Sequence, residues 1–480
     1  MPRAFWSLVG IGIIVGALFG VSFAGYGLGY LAESLGQEHL GFAGMGRLAN
    51  MLILMLVFVM VIATFLTLAE RKWSAMMQDR VGPNRARFGG LNTPLAGIPH
   101  IITDVLKMLT KEDFRPAVAN KGLFNLAPML AFAPVFALFA VVPAGPTVFK
   151  NNVQVDMVVA TPDFGILYLF AIASLAVYGT ALAGWASNNK FALLGGVRAA
   201  SQMVSYEVAL GLSVVGLMIA FSSVQMPALA LGQQAYLWRL EGNFDLGIQA
   251  WGILLQPLGF LVFFAASFAE AKRAPFDAPE GESEIIGYFV EYSGMKFGMF
   301  MISEFVEVVV LAGVLVVLFF GGWAAPVGNE WLHAQLAASP LLLGAIFSTI
   351  FWVKVLALIW VQLLIRWTFP RFRYDQIQTL GWKILLPAGL VNLFVTGAVI
   401  LWDPSLRWLA VLGGVMIATL IALTVRSSPA EHAEDHGHSD HGHGPASLHD
   451  SHGHPLPAAT HVHAHGTAGA VDAAPAPLPH

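Results

Sequence analysis

Ten long apolar runs, nearly all free of charge, are what most constrain this 480-residue chain. They are Ala4–Ala32, Leu48–Ala69, Gly122–Phe149, Phe164–Asn189, Val208–Trp238, Leu246–Ala269, Val308–Asn329, Pro340–Ile365 (interrupted by Lys354), Ile384–Trp402 and Trp408–Val425. About 20 consecutive apolar residues in a helix cross the hydrocarbon core of a bilayer. Charged residues make up only 11% of the chain, against roughly 25% in soluble domains, so a water-facing surface cannot be covered. The expected fold is all-α: a polytopic transmembrane helix bundle of about ten spans. Ala4–Ala32 is read as a retained helix, because it is far longer than the ~7–15-residue core of a signal peptide and no cleavage signature follows.

What is missing narrows the chemistry. The chain has no cysteine, which excludes disulfides, thiolate-held iron–sulfur clusters and cysteine zinc sites within it. A net charge of -4 gives no basic field to draw in nucleic acid. Of the 15 histidines, 12 fall between His432 and His480, in a stretch of His, Gly, Pro and Ala without apolar period. Residues 430–480 are expected to be disordered and dispensable, with at most weak metal buffering by the imidazoles.

Lys and Arg are distributed unevenly between alternate connections. Four segments, Arg71–Lys121, Trp185–Met203, Ala271–Lys296 and Arg366–Gly381, carry 17 of them, and the opposite connections carry four: Arg47, Lys150, Arg239 and Arg407. The positive-inside rule puts the first set in the cytoplasm, and with ten spans both termini as well. Within Arg71–Lys121, an amphipathic helix is expected with Ile98, Ile101, Ile102, Val105, Leu106 and Leu109 on one face and Asp104, Lys107 and Lys111 on the other. Such a helix lies at the interface or under a partner.

Acids at membrane depth are costly and usually functional. Glu70 closes the second run, Glu207 opens the fifth, Glu270 closes the sixth, and Glu304 and Glu307 lie one turn apart near the start of the seventh. Between Glu270 and Lys296 six acids face three bases. If Glu280 to Glu291 is helical, Glu280, Glu284 and Glu291 share a face. Crowded carboxylates in a poorly solvated site raise one another's pKa and become able to pass protons. The bland alternatives are a hydrated acidic loop or ion pairing with Lys272 and Arg273. There is no paired histidine for a haem, no dinucleotide fingerprint, no P-loop and no hydrolytic triad in the body of the chain. No metal site and no cofactor of its own is expected.

Short motifs follow one another in order from about residue 48 to 402: Glu70-Arg71-Lys72, Gln78-Asp79-Arg80-Val81-Gly82-Pro83-Asn84-Arg85, Asp104-Val-Leu-Lys107, Thr110-Lys111-Glu112, Gly184-Trp185-Ala186-Ser187-Asn188 and Arg198. After these come Ser205-Tyr206-Glu207, Arg273-Ala-Pro-Phe-Asp277, Pro279-Glu280-Gly281-Glu282-Ser283-Glu284, Glu291-Tyr292 and Pro370-Arg371-Phe-Arg373-Tyr374-Asp375. As an ordered set they resemble the quinone-channel membrane subunit of proton-pumping NADH:quinone oxidoreductase, respiratory complex I (the H-type subunit in bacteria, NADH dehydrogenase subunit 1 in mitochondria).

The resemblance implies an eight-helix core over residues 48–402, an added N-terminal helix and loop (1–47), an added C-terminal helix (403–429) and the His-rich tail. It implies a bacterial inner-membrane location at the junction of membrane and peripheral arms, with the other subunits of both arms as partners and no nucleic acid. Ubiquinone or menaquinone is then the substrate, held in a chamber that this chain helps to form. On matching positions, the proton or charge relay falls to Glu70, Asp104, Tyr206, Glu207, Glu270, Asp277, Glu280, Glu282, Glu284 and Glu291. Arg71, Arg80, Arg85, Arg198, Arg273, Arg371 and Arg373 line or support the chamber. The alternatives are the homologous subunit of a membrane-bound hydrogenase or formate-dependent complex, a stand-alone transporter, and a structural anchor. The missing inverted repeat argues against a transporter, and the membrane-depth acids against an anchor.

Overall fold

A computed structural model of the chain describes residues 2–37, 44–86, 97–240, 246–279, 281 and 287–427. Met1–Leu423 packs as one unit; of the second, Thr424–His480, the described residues are the last of the final helix. The first helix, α1 (Pro2–Leu35), is followed by α2 (Met45–Leu52), which passes through a π-helical stretch, Ile53–Val59, into α3 (Met60–Met77). α4 (Pro99–Thr110) is the short amphipathic helix. Next come α5 (Lys121–Phe139), the hairpin β1 (Val148–Lys150) and β2 (Val153–Val155), α6 (Gly165–Ala186), α7 (Lys190–Phe221) and α8 (Met226–Gly232). A second hairpin, β3 (Tyr236–Leu240) with β4 (Leu246–Gln249), leads through α9 (Gly252–Leu255) into α10 (Pro257–Glu270). α11 (Gly294–Phe319), α12 (Asn329–Leu336), α13 (Pro340–Thr368) and α14 (Tyr374–Thr379) follow. A second π-helical stretch, Leu380–Leu385, joins α14 to α15 (Leu386–Trp402), and α16 is Arg407–Ser427.

Among the described residues nine helices are long and apolar enough to span a bilayer, and α10 is a shorter apolar helix. The all-α membrane bundle is as expected; the borders of several spans are not. The fifth span does not open at Val208 but at Lys190, so Glu207 sits well inside α7. Likewise α11 begins at Gly294, which puts Glu304 and Glu307 inside a helix and not at its mouth. Glu70 lies within α3 instead of closing it. A polar residue looks like the end of a span when its partner is distant in sequence. Gln202, for example, is buried yet donates from Nε2 to the carbonyls of Ala269 and Phe276, both at 2.8 Å, so α7 carries it inside the bundle with both amide protons satisfied.

Two apolar runs break up for a different reason. Gly122–Phe149 yields α5 and then loop and β1, and Leu246–Ala269 yields β4, α9 and α10. Pro257 opens α10 at a position where a missing N–H is tolerated, and the two antiparallel hairpins are small exceptions to an otherwise helical chain.

Small residues let the helices approach. A Cβ on Gly179 would come 2.4 Å from the Ala131 backbone nitrogen, and one on Gly184 2.5 Å from the Ala192 carbonyl; such contacts hold spans together where lipid offers no hydrophobic drive. α11 is the central strut, with 94% of its apolar window buried. The core around it includes Val306, Val310, Val314, Phe263, Phe351 and Trp352. α1 is tied in through Tyr26, whose hydroxyl donates to the Pro146 carbonyl at 2.8 Å. Glu33 of α1 accepts from the backbone N–H groups of Gly44 and Gly46, at 3.0 and 2.8 Å, at the start of α2, where a carboxylate is favoured.

Candidate functional site

Where α3, α13 and the turn after α10 converge on the first half of α11, ionic side chains gather around a cavity of about 280 Å³. Glu70 is its anchor. It is hydrogen-bonded by Arg273, and Arg366 Nη1 lies 2.8 Å from the same oxygen. The Arg273 guanidinium also sits 4.0 Å from the centre of the Phe305 ring, a stacking that suits its weak hydration. On the same cavity Asp277 pairs with Arg371. Burial lifts the Asp277 carboxyl above the ordinary aspartate range, while Arg371 pulls it the other way. Glu304 lines the cavity too, accepting a hydrogen bond from the Tyr288 hydroxyl at 3.2 Å.

A second acidic group lies next to it. Glu207 of α7, Glu270 of α10 and Glu307 of α11 line a gap of about 20 Å³ with Leu138, Leu169 and Leu210 among its apolar walls. That is room for one water molecule. Glu270 Oε2 has no hydrogen-bond partner among the described residues. Lys272 connects the two places: it lines the larger cavity, and its Nζ stands 3.4 Å from Glu307 Oε2, both side chains being buried. An ammonium between two acidic groups can favour charge on either one, and the arrangement can therefore transmit a change of charge from one to the other.

The remaining expected residues are spread around this pair. Arg71 and Asp104 join α3 to α4 at 2.5 Å, both partly exposed. The apolar stripe of α4 is open to the outside at Ile98, Ile102, Val105, Leu106 and Leu109. Glu291 accepts from Asn189 Nδ2 at 2.7 Å, and the same Asn189 caps α7 through Phe191 N–H. Beside it, the ring of Tyr292 stacks on Phe124 at 4.0 Å, and burial pushes its phenol up. The described residues between 271 and 293 are turn and loop, so the helical face assumed for Glu291 does not exist there. Glu280, Glu282 and Glu284 lie outside the described residues.

Tyr206 is fully buried and donates to the Ile377 carbonyl at 2.7 Å, which latches α7 to α14. Arg198 lies 5.5 Å from the Tyr374 ring centre. Arg373 bonds its exposed neighbour Asp375 at 2.7 and 3.0 Å. Arg80 is exposed. The Arg85 and Ala86 N–H groups donate to His100 Nε2 at 3.2 and 3.1 Å, anchoring that loop to the start of α4. Arg80, Arg85, Arg198 and Arg373 are not among the residues lining the cavity.

Four residues of the two acidic groups are absent from the set that the resemblance assigns, although Glu304 and Glu307 already stand out as membrane-depth acids and Lys272 as an ion-pair partner: Lys272, Glu304, Glu307 and Arg366. Glu304 and Glu307 read as a pair one turn apart, but only the packing of α11 brings Glu307 to Glu207 and Glu270. Arg366 ends an apolar run and looks like a span-end anchor; no sequence signal links it to Glu70. Among the described residues no group of three His, Cys, Asp or Glu is arranged to hold a metal ion.

A bundle of apolar helices with carboxylates and cations gathered around two interior cavities is a multi-pass membrane protein. The sequence relations name the kind. The family model described as NADH dehydrogenase matches residues 49–397. The NADH-quinone oxidoreductase H-type subunit 1 of Cytophaga hutchinsonii is 41% identical over 343 residues, covering 71% of this chain and 93% of that protein. The corresponding H-type subunit of Flavobacterium johnsoniae is 40% identical over 351 residues (73% and 94%), and H-type subunit 2 of Syntrophobacter fumaroxidans 40% over 363 (75% and 98%). The chain belongs to the NADH dehydrogenase family.

Proposed function

We propose that this chain is the H-type membrane subunit of an NADH-quinone oxidoreductase, that it forms part of the chamber for ubiquinone or menaquinone, and that it couples quinone reduction to proton translocation. The observation that carries the reading is the link through Lys272 between the ion-lined cavity and the Glu207, Glu270 and Glu307 group. Reducing a quinone takes two electrons and two protons and creates transient negative charge. Arg273 and Arg366 would meet that charge at the cavity, weakening their hold on Glu70, and Arg371 would feel it through Asp277. Lys272 would respond by moving its bias away from Glu307, and the carboxyl group beyond would release or take up a proton. Coupling of this kind is reciprocal: the protonation state of the acids also sets the affinity for the charged quinone intermediate.

The same reading orients the molecule. The connections rich in Lys and Arg face the cytoplasm and the peripheral-arm subunits, α4 lies under those partners, and both termini are cytoplasmic. Residues 48–402 are the functional core, with α1 and α16 as additions. The names of the relatives favour the respiratory enzyme over a hydrogenase-type assembly.

The test is a set of carboxamide variants in the whole complex. Glu207→Gln, Glu307→Gln and Glu284→Gln keep shape and hydrogen bonding but cannot ionise, so the complex should assemble while NADH-driven quinone reduction and proton yield fall at least about tenfold, a barrier change of roughly 1.4 kcal/mol. The matching Asp variants should retain part of both. Normal turnover with normal proton yield in an assembled Glu307→Gln complex would refute the relay.

A further inference from the structure

The Glu70 ion cluster borders a second, much smaller space. Glu70, Arg273 and Arg366 line it as they line the large cavity, but the rest of its wall is different and includes Leu66, Phe268, Val308, Ile359 and Gln362. All of these but Arg366 are buried. The space measures about 20 Å³, which is room for one water molecule.

Gln362 has no part in the charge relay. It is 8% exposed, lies in an apolar stretch of α13, and its Oε1 is buried without a donor among the described residues. A buried acceptor in that state is costly, and in native structures such atoms are bonded, with few exceptions, to protein or to ordered water. One turn along the same helix, Arg366 presents the complement. Its Nη1 is also buried and, although 2.8 Å from Glu70 Oε1, is not aligned to hydrogen-bond it. Arg273 Nε, on the same wall, is a third buried polar atom with no partner among the described residues.

Residues four apart on a helix are neighbours on one face, with Cβ atoms about 5–6 Å from each other. The Gln362 amide and the Arg366 guanidinium therefore border the same small space, one offering an acceptor and the other a donor, with Arg273 Nε as a second donor. A water molecule serves both kinds: it donates to the amide oxygen and accepts from a guanidinium, and buried waters typically make about three such bonds. A quinone ring is far too large for the space. A cation there would face two guanidinium groups, and an anion would face the Glu70 carboxylate and the amide oxygen.

We propose that Gln362 is a positioning residue: through one water molecule held in this space it fixes the Arg366 guanidinium beside Glu70. Arg366 is the cation of the cluster that needs such a hold. Its side chain is 29% exposed against 8% for Arg273, and its guanidinium carbon lies 5.7 Å from the ring centre of Trp367, a contact that competes for it. The functional consequence rests on the reading of the large cavity as part of the quinone chamber. There the water bridge keeps Arg366 where negative charge develops on the quinone, and a charge placed in advance needs no reorganisation during the reaction.

The test begins with electron cryomicroscopy of the intact complex at a resolution that shows ordered water. One solvent peak should stand within hydrogen-bond distance of both Gln362 Oε1 and Arg366 Nη1. No peak there, or a direct bond between the two side chains, overturns the proposal. Gln362→Leu, which suits the apolar wall, should assemble and lose the peak. Its NADH-driven quinone turnover should fall about fivefold, equivalent to roughly 1 kcal/mol, with little change in the quinone KM, because the charge appears only during reduction. The same substitution added to Arg366→Lys should cost nothing further. Losses that multiply, or normal turnover in Gln362→Leu while Arg366→Lys is impaired, overturn the proposal. If Gln362→Leu fails to assemble, the solvent peak in the unaltered complex decides. If Arg366→Lys alone leaves quinone reduction unchanged, it is the chamber reading that falls, and the peak decides the role of Gln362.

Discussion

α11 and α16 are both apolar helices long enough to cross a bilayer, yet they lead opposite lives. The apolar window of α11 is 94% buried, that of α16 17%. α11 carries Glu304 and Glu307 among its valines, and both acids have partners, in Tyr288 and Lys272; α16 has no acid along its span and meets the bundle along one narrow line. Hydropathy alone does not separate them. A buried span can hold charge because its neighbours supply counter-charges and carbonyls, while a lipid-facing span must stay apolar, since the bilayer offers nothing in exchange. The ionic side chains of the two cavities lie on α11 and on the segments packed around it, and none lies on α16.

The sharpest test of this contrast lies beside α11, at Glu70. Glu70→Ala would strand Arg273 and Arg366 in a poorly solvated cavity. Breaking a buried pair costs about 3–5 kcal/mol, and here two cations lose one partner. The complex should fail to assemble, as read by native electrophoresis of solubilised membranes; an assembled, stable Glu70→Ala complex would mean that the cluster is far better hydrated than its burial indicates.

A smaller loss is expected at the other end of the strut. Lys354 of α13 donates to the carbonyls of Phe320, Gly322 and Ala324 at 2.7, 3.0 and 2.7 Å, just past the end of α11, and lies 4.6 Å from the Trp251 ring centre. It therefore caps the negative end of the helix dipole with a positive charge. Lys354→Met leaves those carbonyls without a donor, at about 1–3 kcal/mol for each buried group that finds no substitute. The variant should assemble with a thermal midpoint several degrees lower, and Lys354→Arg should recover part of it. An unchanged midpoint for Lys354→Met would show that water replaces the ammonium freely.

The least effect belongs to α16. Gly413→Val drives a branched side chain into the Leu254 carbonyl, and so should displace α16 and expose residues near Leu409 to protease. Quinone reductase activity should change less than about twofold, within roughly 0.4 kcal/mol, because no residue of α16 lines the ionic cavity. A severe loss of activity would erase the distinction between strut and periphery.

How far the sequence could be read differs in the same way. Apolar length, the absence of cysteine and the order of short motifs are enough for an all-helical membrane bundle and for its family, because span length is dictated by bilayer thickness and motifs are local. The same reading misplaces the starts of α7 and α11, since it begins each uncharged run just after Glu207 and Glu307, acids that it nevertheless places at membrane depth. It identifies Glu70, Glu270, Asp277 and Arg273 as site residues, all of which line the two acidic groups. It joins Glu291 to a face on the condition of a helix, and the described residues 287–293 are turn and loop; spacing implies a face only where the backbone is helical.

What the sequence by itself determined, then, is the medium this protein lives in and the inventory of charges it carries there. Only the tertiary structure decided which charges meet. Glu70 finds Arg273 some 203 positions away, and Glu307 meets Lys272 across 35, through the packing of α3 and α11 against the turn that follows α10. The physical reason is that cost and partner are set by different things. The cost of a buried charge follows from its own chemistry, so one residue announces it; the partner that offsets that cost is fixed by helix crossings, and those depend on which small residues and ridges fit together across the whole bundle.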